Sequence, residues 1–98
     1  MQFSYRVYNE SNESLLAVAD TDLLGRTFED GELVLSITEF YQGDKCDTEE
    51  IVSLLKSATI INAVGKDIIS VMEKERMINK NSVLNIKGVP HAQVVVMK

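Results

Sequence analysis

A segment in the middle of the chain carries the strongest folding signal. Asp47 and Glu50 have the spacing of a capping box, in which side chains satisfy the free N–H groups at a helix start. The apolar residues that follow recur on one side of a helix: Ile51, Val52, Leu54, Leu55 and Ala58. We therefore expect an amphipathic helix here, and its apolar side must be covered by the segments around it.

Those surrounding segments have the pattern of strands. Alternating or branched apolar residues predict five of them, over residues 3–8, 14–19, 32–41, 83–86 and 92–97. Residues 58–65 continue the apolar helical stretch, and a second helix is predicted over residues 66–77. The expected fold class is α+β: a mainly antiparallel sheet of about five strands, with the two helices packed as one layer. The predicted order is three strands, two helices and two strands.

Length and charge limit the classes of function. The 98 residues fit one domain, and the net charge of −5 argues against binding nucleic acid through overall charge. The charge is uneven: residues 1–50 have three basic and twelve acidic side chains, whereas residues 51–98 have seven basic and three acidic ones. No signal peptide or apolar membrane span is recognisable, so a cytoplasmic protein without membrane contact is expected.

Metal and thiol chemistry have little support in the sequence. The single cysteine, Cys46, and the single histidine, His91, fall short of the three or four ligands of a zinc site, and no cofactor is predicted. Cys46, His91 and Asn62 are residue types found in cysteine hydrolases, but they have no diagnostic spacing. We therefore predict no catalytic residue.

Two loops could bind an anion. Asp20 is expected to cap a short helical turn that ends at a left-handed Gly25, and Arg26 and Thr27 follow. Arginine in such a loop can grip phosphate or carboxylate with two hydrogen bonds, although it can equally pair with a nearby acid. Gly65 and Lys66 stand at the start of the second predicted helix, where an anion could also bind. This segment is not a phosphate-binding loop, because it lacks the upstream glycine and the Ser or Thr hydroxyl after the lysine that such a loop requires.

The only proline stands beside the only histidine near the C-terminus. Gly88 and Pro90 shape a turn that presents His91 and Gln93 ahead of the last strand. His91 could bind backbone groups, bind a ligand or act as a base. Asn62 lies in the apolar stretch before Gly65 and would be costly to bury without a partner. We therefore predict that Asn62 contacts this turn.

Several segments together resemble a known family. ADTDLLGRTFEDGELVL (residues 19–35), FYQG (40–43), ATIINAVG (58–65) and GVPHAQ (88–93) occur in the order typical of the archaeal domain of unknown function 424. The resemblance covers most of the chain and implies a small archaeal protein of about this length, with no assigned activity or cofactor. An association with RNA or translation is compatible with such a family. Cys46 falls outside these segments.

Three hypotheses follow. The first is a non-catalytic binding or adaptor domain for RNA or a translation-related protein, and it predicts one basic face formed by Arg26, Lys66, Lys87 and His91. The second is a small enzyme or small-molecule binder that uses His91 with Asn62 or Gln93. The third is a structural protein that forms a homo-oligomer through an apolar surface and binds no ligand.

Overall fold

The N-terminal hairpin provides two long strands of the main sheet. Strands β1 (Phe3–Glu10) and β2 (Glu13–Asp20) pair antiparallel over their full length. Only two residues connect them, fewer than the predicted five, and the first, Ser11, has a positive φ of 54°. The structure is a computed structural model and describes residues 1–96.

A small second hairpin lies against one face of this sheet. Strands β3 (Thr27–Asp30) and β4 (Leu33–Ser36) pair only with each other. A single 3₁₀ turn precedes the hairpin at Thr21–Leu23, and another follows it at Glu39–Tyr41. The predicted strand over residues 32–41 is therefore half strand and half turn.

The middle of the chain completes one side of the sheet and crosses it. Strand β5 (Asp44–Cys46) joins the free edge of β1, and helix α1 (Thr48–Ser57) then crosses to strand β6 (Ile60–Val64), which is parallel to β2. The predicted cap is confirmed, because Asp47 Oδ1 accepts the N–H of Glu50 at 3.0 Å.

The C-terminal third adds a second helix and the opposite edge. Helix α2 (Lys66–Lys74) begins directly after β6, and a 3₁₀ turn at Lys80–Ser82 leads to strand β7 (Leu84–Ile86). Strand β8 (Val89–Val95) lies between β6 and β7, antiparallel to both. The strand order is β5-β1-β2-β6-β8-β7. No helix within residues 1–96 has the length and apolar content to cross a bilayer.

The sheet separates two apolar cores. On one face, both helices pack on β1, β2 and β6 through a large cluster whose fully buried members include Phe3, Leu16, Ile51, Ile61, Ile68 and Met72. On the other face, the small hairpin and its flanking turns cover a second cluster that includes Ala17, Ala19, Ile37, Tyr41, Val64 and Val89. Strands β2 and β6 are apolar on both sides because each contributes to both cores.

The structure confirms the α+β class, the mainly antiparallel sheet and the single helical layer, but it corrects some elements. Residues 58–65 are wrongly predicted as helical, since residues 60–64 form strand β6. The periodicity of a short apolar run that is buried on both sides is compatible with a helix or with a strand. Pairing with β2 and β8 makes this run a strand. With this strand and two short ones, β3 and β5, residues 1–96 contain eight strands rather than about five. The predicted end of the last strand, Met97, lies outside the described residues.

Candidate functional site

A cleft of about 390 Å³ opens where three separate parts of the chain meet. Its walls come from the loop between β2 and β3, the first turn of α2 and the turn between β7 and β8. Each part contributes one basic side chain to the lining: Arg26, Lys66 and Lys87. These bases are far apart in sequence, and the fold alone brings them together.

The three bases are exposed, and none has an acidic partner within 4.0 Å among residues 1–96. In the part of the chain that the structure describes, the one ion pair within 4.0 Å joins Lys56 to Glu75, on the helical side. The Arg26 guanidinium lies over the Phe28 ring at 4.9 Å, which favours one orientation of this charge through a cation–π contact. An incoming anion can therefore contact these bases without breaking a salt bridge, although acidic side chains line the cleft in equal number.

The loop that carries Arg26 has a well-defined backbone. Gly25 adopts φ +82°, as predicted for a left-handed residue, and its N–H donates to the carbonyl of Ile37 at 2.8 Å. The N–H of Ile37 in turn donates to the Arg26 carbonyl at 2.9 Å. Thr27 is not part of the cleft lining, and its hydroxyl lies 3.3 Å from that of Ser36, its direct partner across the hairpin.

The floor of the cleft contains a buried carboxylate. Asp20 is 5% exposed, and its two oxygens accept the N–H groups of Asp67 and Ile68, each at 2.9 Å. Asp20 therefore caps α2, and its side chain forms no cap hydrogen bond with the turn that follows it in sequence. Burial raises the pKa of Asp20, the two N–H donors oppose this rise, and nearby Asp67 and Asp22 add to it.

Gly65 makes this cap possible. The residue has φ +124°, and a Cβ placed on it would lie 2.3 Å from Asp20 Cγ. Asp20 thus occupies the helix N-terminus at which the sequence suggested that an external anion could bind. Lys66 still lines the cleft, but the N–H groups of Asp67 and Ile68 that follow it already donate to Asp20.

The turn between β7 and β8 places the third base. Lys87 and Gly88 have φ values of +53° and +81°, the left-handed pair that closes a two-residue type I′ hairpin. Gly88 and Pro90 both line the cleft, and the Pro90 carbonyl accepts the N–H of Gly65 at 2.9 Å. This hydrogen bond ties the turn to the start of α2.

His91 belongs to a separate hydrogen-bond network. Asn62 Oδ1 accepts the Tyr41 hydroxyl at 2.6 Å and lies 3.0 Å from His91 Nε2. Because a carbonyl oxygen only accepts, Nε2 must carry a proton. Burial lowers the pKa of His91 and raises the pKa of Tyr41 to about 12, so the imidazole is neutral and the phenol protonated near pH 7. The predicted contact between Asn62 and the His91 segment is present, although Asn62 lies on a strand.

The ten sequence-predicted site residues thus divide into three groups. Arg26, Lys66, Gly88 and Pro90 line the cleft, whereas Gly25 and Gly65 shape the adjoining backbone. The other four lie outside the lining: Thr27, Asn62, His91 and Gln93. His91 follows Pro90 along β8, and successive strand side chains point to opposite faces, so the two diverge. Gln93 is exposed and pairs with Asn62 in the sheet register.

Five residues of the cleft lining were not predicted from the sequence: Asp22, Leu23, Phe28, Asp67 and Val89. Nothing in their local spacing indicates that they meet. Asp20 was assigned to the wrong helix start, because the adjacent turn is the nearer candidate in sequence. Lys87 was part of the predicted basic face, and it lines the cleft with Arg26 and Lys66, whereas His91 lies outside the lining.

Metal ligands and the single cysteine are the other groups that could give this protein chemistry. Within residues 1–96, no group of three His, Cys, Asp or Glu side chains is arranged to hold a metal ion. Cys46 is buried beside β1, and burial, with smaller effects of Glu50 and Asp47, raises the pKa of its thiol to about 11. The thiol is therefore protonated at neutral pH and a poor nucleophile.

Comparison with known proteins identifies the fold and the family. The crystal structure of an uncharacterized conserved protein from Methanopyrus kandleri is similar to the whole chain, with a TM-score of 0.78, 23% sequence identity and coverage of 96% of that protein. At this identity the likeness establishes the fold. No curated protein matches the chain. A family model, described as a protein of unknown function, matches residues 8–97, and the chain therefore belongs to the DUF424 family.

Proposed function

We propose that this protein is a non-catalytic binding domain of the archaeal cytoplasm that holds RNA phosphates in the cleft of Arg26, Lys66 and Lys87. One observation carries the proposal: three basic side chains from three separate elements line one cleft, and none has an acidic partner within 4.0 Å among the described residues.

The chemistry of the three bases favours phosphate. A guanidinium can donate two parallel hydrogen bonds to phosphate oxygens, and the two ammonium groups add compact positive charges. The Arg26 guanidinium, which lies over the Phe28 ring, offers a planar surface on which a base of single-stranded RNA can stack. Asp22 and Asp67 also line the cleft, and their exposed carboxylates can accept hydrogen bonds from ribose hydroxyls.

The charge of the whole protein restricts the contact to this cleft. A net charge of −5 repels a polyanion elsewhere on the surface, so about three phosphates are the most that the three bases can neutralise. For single-stranded RNA, three phosphate contacts correspond to a slope of about −2 for log K against log salt. Affinity should then fall roughly 16-fold between 50 and 200 mM salt.

The experiment measures binding of a labelled single-stranded RNA by fluorescence anisotropy over this salt range. Arg26→Ala, Lys66→Ala and Lys87→Ala should each weaken binding and make the salt slope shallower by about 0.7. The matched control is Lys74→Ala, which removes an exposed lysine of α2 that lies outside the cleft lining. An equal loss in the control, or no binding at 50 mM salt, would refute the proposal.

A second candidate is supported by the size of the cleft. A volume of about 390 Å³ is within the range of small-molecule sites, and the lining carries both signs of charge. A nucleoside monophosphate is a suitable probe, because it presents phosphate, ribose and base together. If it raises the melting temperature and RNA neither binds nor competes with it, then the cleft is a small-molecule site. His91, Asn62 and Gln93 would not contact this ligand.

A further inference from the structure

One edge of the main sheet is only half covered. Strand β7 covers only the first part of β8, because its residues Leu84 to Ile86 pair with His91 to Val89. Beyond His91, the residues of β8 pair with β6 on one side only. Within residues 1–96, no other strand lies along this part of β8, so residues 93–95 form an open edge.

The hydrogen-bond pattern shows which groups face the open side. The Pro90 carbonyl accepts from Gly65, and the Val96 N–H donates to Thr59, so even-numbered residues of β8 direct their main-chain groups toward β6. Antiparallel pairing alternates, so the N–H and C=O groups of Gln93 and Val95 must point away from β6. These two residues therefore present two donors and two acceptors at the edge.

This edge lacks the features that usually prevent pairing with another chain. Residues 92–96 contain no charge, no proline and no glycine, and three of them are valine. The Val95 side chain is 69% exposed. A groove of about 480 Å³ runs alongside, between β8 and the segment after α2, with the half-buried apolar side chains of Met77 and Ile78 in its lining.

Two charged side chains beside the edge are arranged so that a second, antiparallel copy of the chain brings opposite charges together. Glu73 and Arg76 both line the groove. Glu73 also lines a cavity with Pro90, whereas Arg76 lines one with Val96. Along β8 the acid is thus nearer the start of the strand and the base nearer its end. An antiparallel copy reverses this order and brings each acid toward the base of its partner.

We propose that two copies of this chain associate through the open edge of β8, antiparallel, around a two-fold axis at Val94. Gln93 of each copy then pairs with Val95 of the other, and the two residues exchange both of their main-chain hydrogen bonds. The Val94 residues face each other on the axis. The two six-stranded sheets become one sheet of twelve strands, with all four helices on the same side.

This interface is self-complementary, as a two-fold interface must be. Four main-chain hydrogen bonds and a short apolar strip form a small contact, so a dissociation constant in the micromolar range or weaker is expected. The RNA cleft lies at the other end of β8, beside Pro90, and remains open in the dimer. Dimer formation and RNA binding are therefore independent and can be tested separately.

The experiment is sedimentation analysis of the full chain between about 10 μM and 1 mM, a range that brackets such weak association. The wild-type protein should shift from monomer toward twice the monomer mass. Val95→Pro removes an N–H that faces only the open edge, and it should abolish the dimer while circular dichroism stays unchanged. The matched control, Val95→Thr, keeps the N–H and the branched side chain at the same position, and it should still dimerise.

A charge exchange tests the orientation and does not depend on proline. Glu73→Arg and Arg76→Glu should each weaken association at least fivefold, and the double variant should restore it, because both opposite-charge contacts are re-formed. A wild-type protein that is monomeric at 1 mM would overturn the proposal. Persistence of the dimer in Val95→Pro, or a double variant weaker than both single ones, would do the same.

Discussion

Replacing Gly65 with alanine tests how closely the buried cap of α2 is packed. The new Cβ would stand 2.3 Å from Asp20 Cγ and 2.4 and 2.7 Å from the two carboxylate oxygens. Neither side can yield easily, since Asp20 is held by the N–H groups of Asp67 and Ile68, and Gly65 by the Pro90 carbonyl. We expect the carboxylate to be pushed off the helix start.

The expected loss of stability has two parts. Gly65 has φ +124° and ψ 152°, a conformation that is essentially restricted to glycine and costs other residues about 1–3 kcal/mol. Each hydrogen bond to the charged Asp20 carboxylate contributes about 1.5–3 kcal/mol, and at least one should be lost. Together these give roughly 2.5–6 kcal/mol, a large share of the 5–15 kcal/mol typical of a folded domain.

Urea unfolding of Gly65→Ala followed by circular dichroism measures this loss. Gly31→Ala is the matched control, because Gly31 also has a positive φ, +64°, but a Cβ added there would have no heavy atom within 4 Å beyond its chain neighbours. Its cost should be only about 1–2 kcal/mol. In an Asp20→Ala background, Gly65→Ala should cost less, because the clashing group is gone. Equal costs at Gly65 and Gly31, or in both backgrounds, would refute the steric argument.

Three further predictions concern the buried polar groups. Tyr41→Phe should lower the free energy of unfolding by about 1 kcal/mol in urea titrations, because Asn62 loses one donor; no change would exclude the hydroxyl from the network. The lowered pKa of His91 means that, as pH falls, the unfolded chain takes up a proton at a higher pH than the folded protein. The free energy of unfolding should therefore fall as pH drops below about 6.5, and His91→Gln should flatten this dependence between pH 7.5 and 5.5. Cys46, with a pKa of about 11, should react with a thiol reagent far more slowly in the native protein than in urea; equal rates would contradict its burial.

Predictions from the sequence succeeded where the signal is local. The cap between Asp47 and Glu50 spans three residues, and Gly25 takes the predicted left-handed conformation. The prediction failed at residues 58–65, where an apolar run is buried on both sides and its periodicity does not distinguish strand from helix. It also misassigned Asp20, whose cap lies 47 residues away at Asp67 rather than in the adjacent turn.

The sequence alone therefore determined the α+β class, the N-terminal hairpin and the start of α1, since each follows from the residue pattern of short, contiguous segments. The tertiary structure decided the rest. Only pairing with β2 and β8 makes β6 a strand, and only the sheet brings Arg26, Lys66 and Lys87 to one cleft. The physical reason is that burial and hydrogen bonding between distant segments depend on the register of the whole sheet, which no local pattern records.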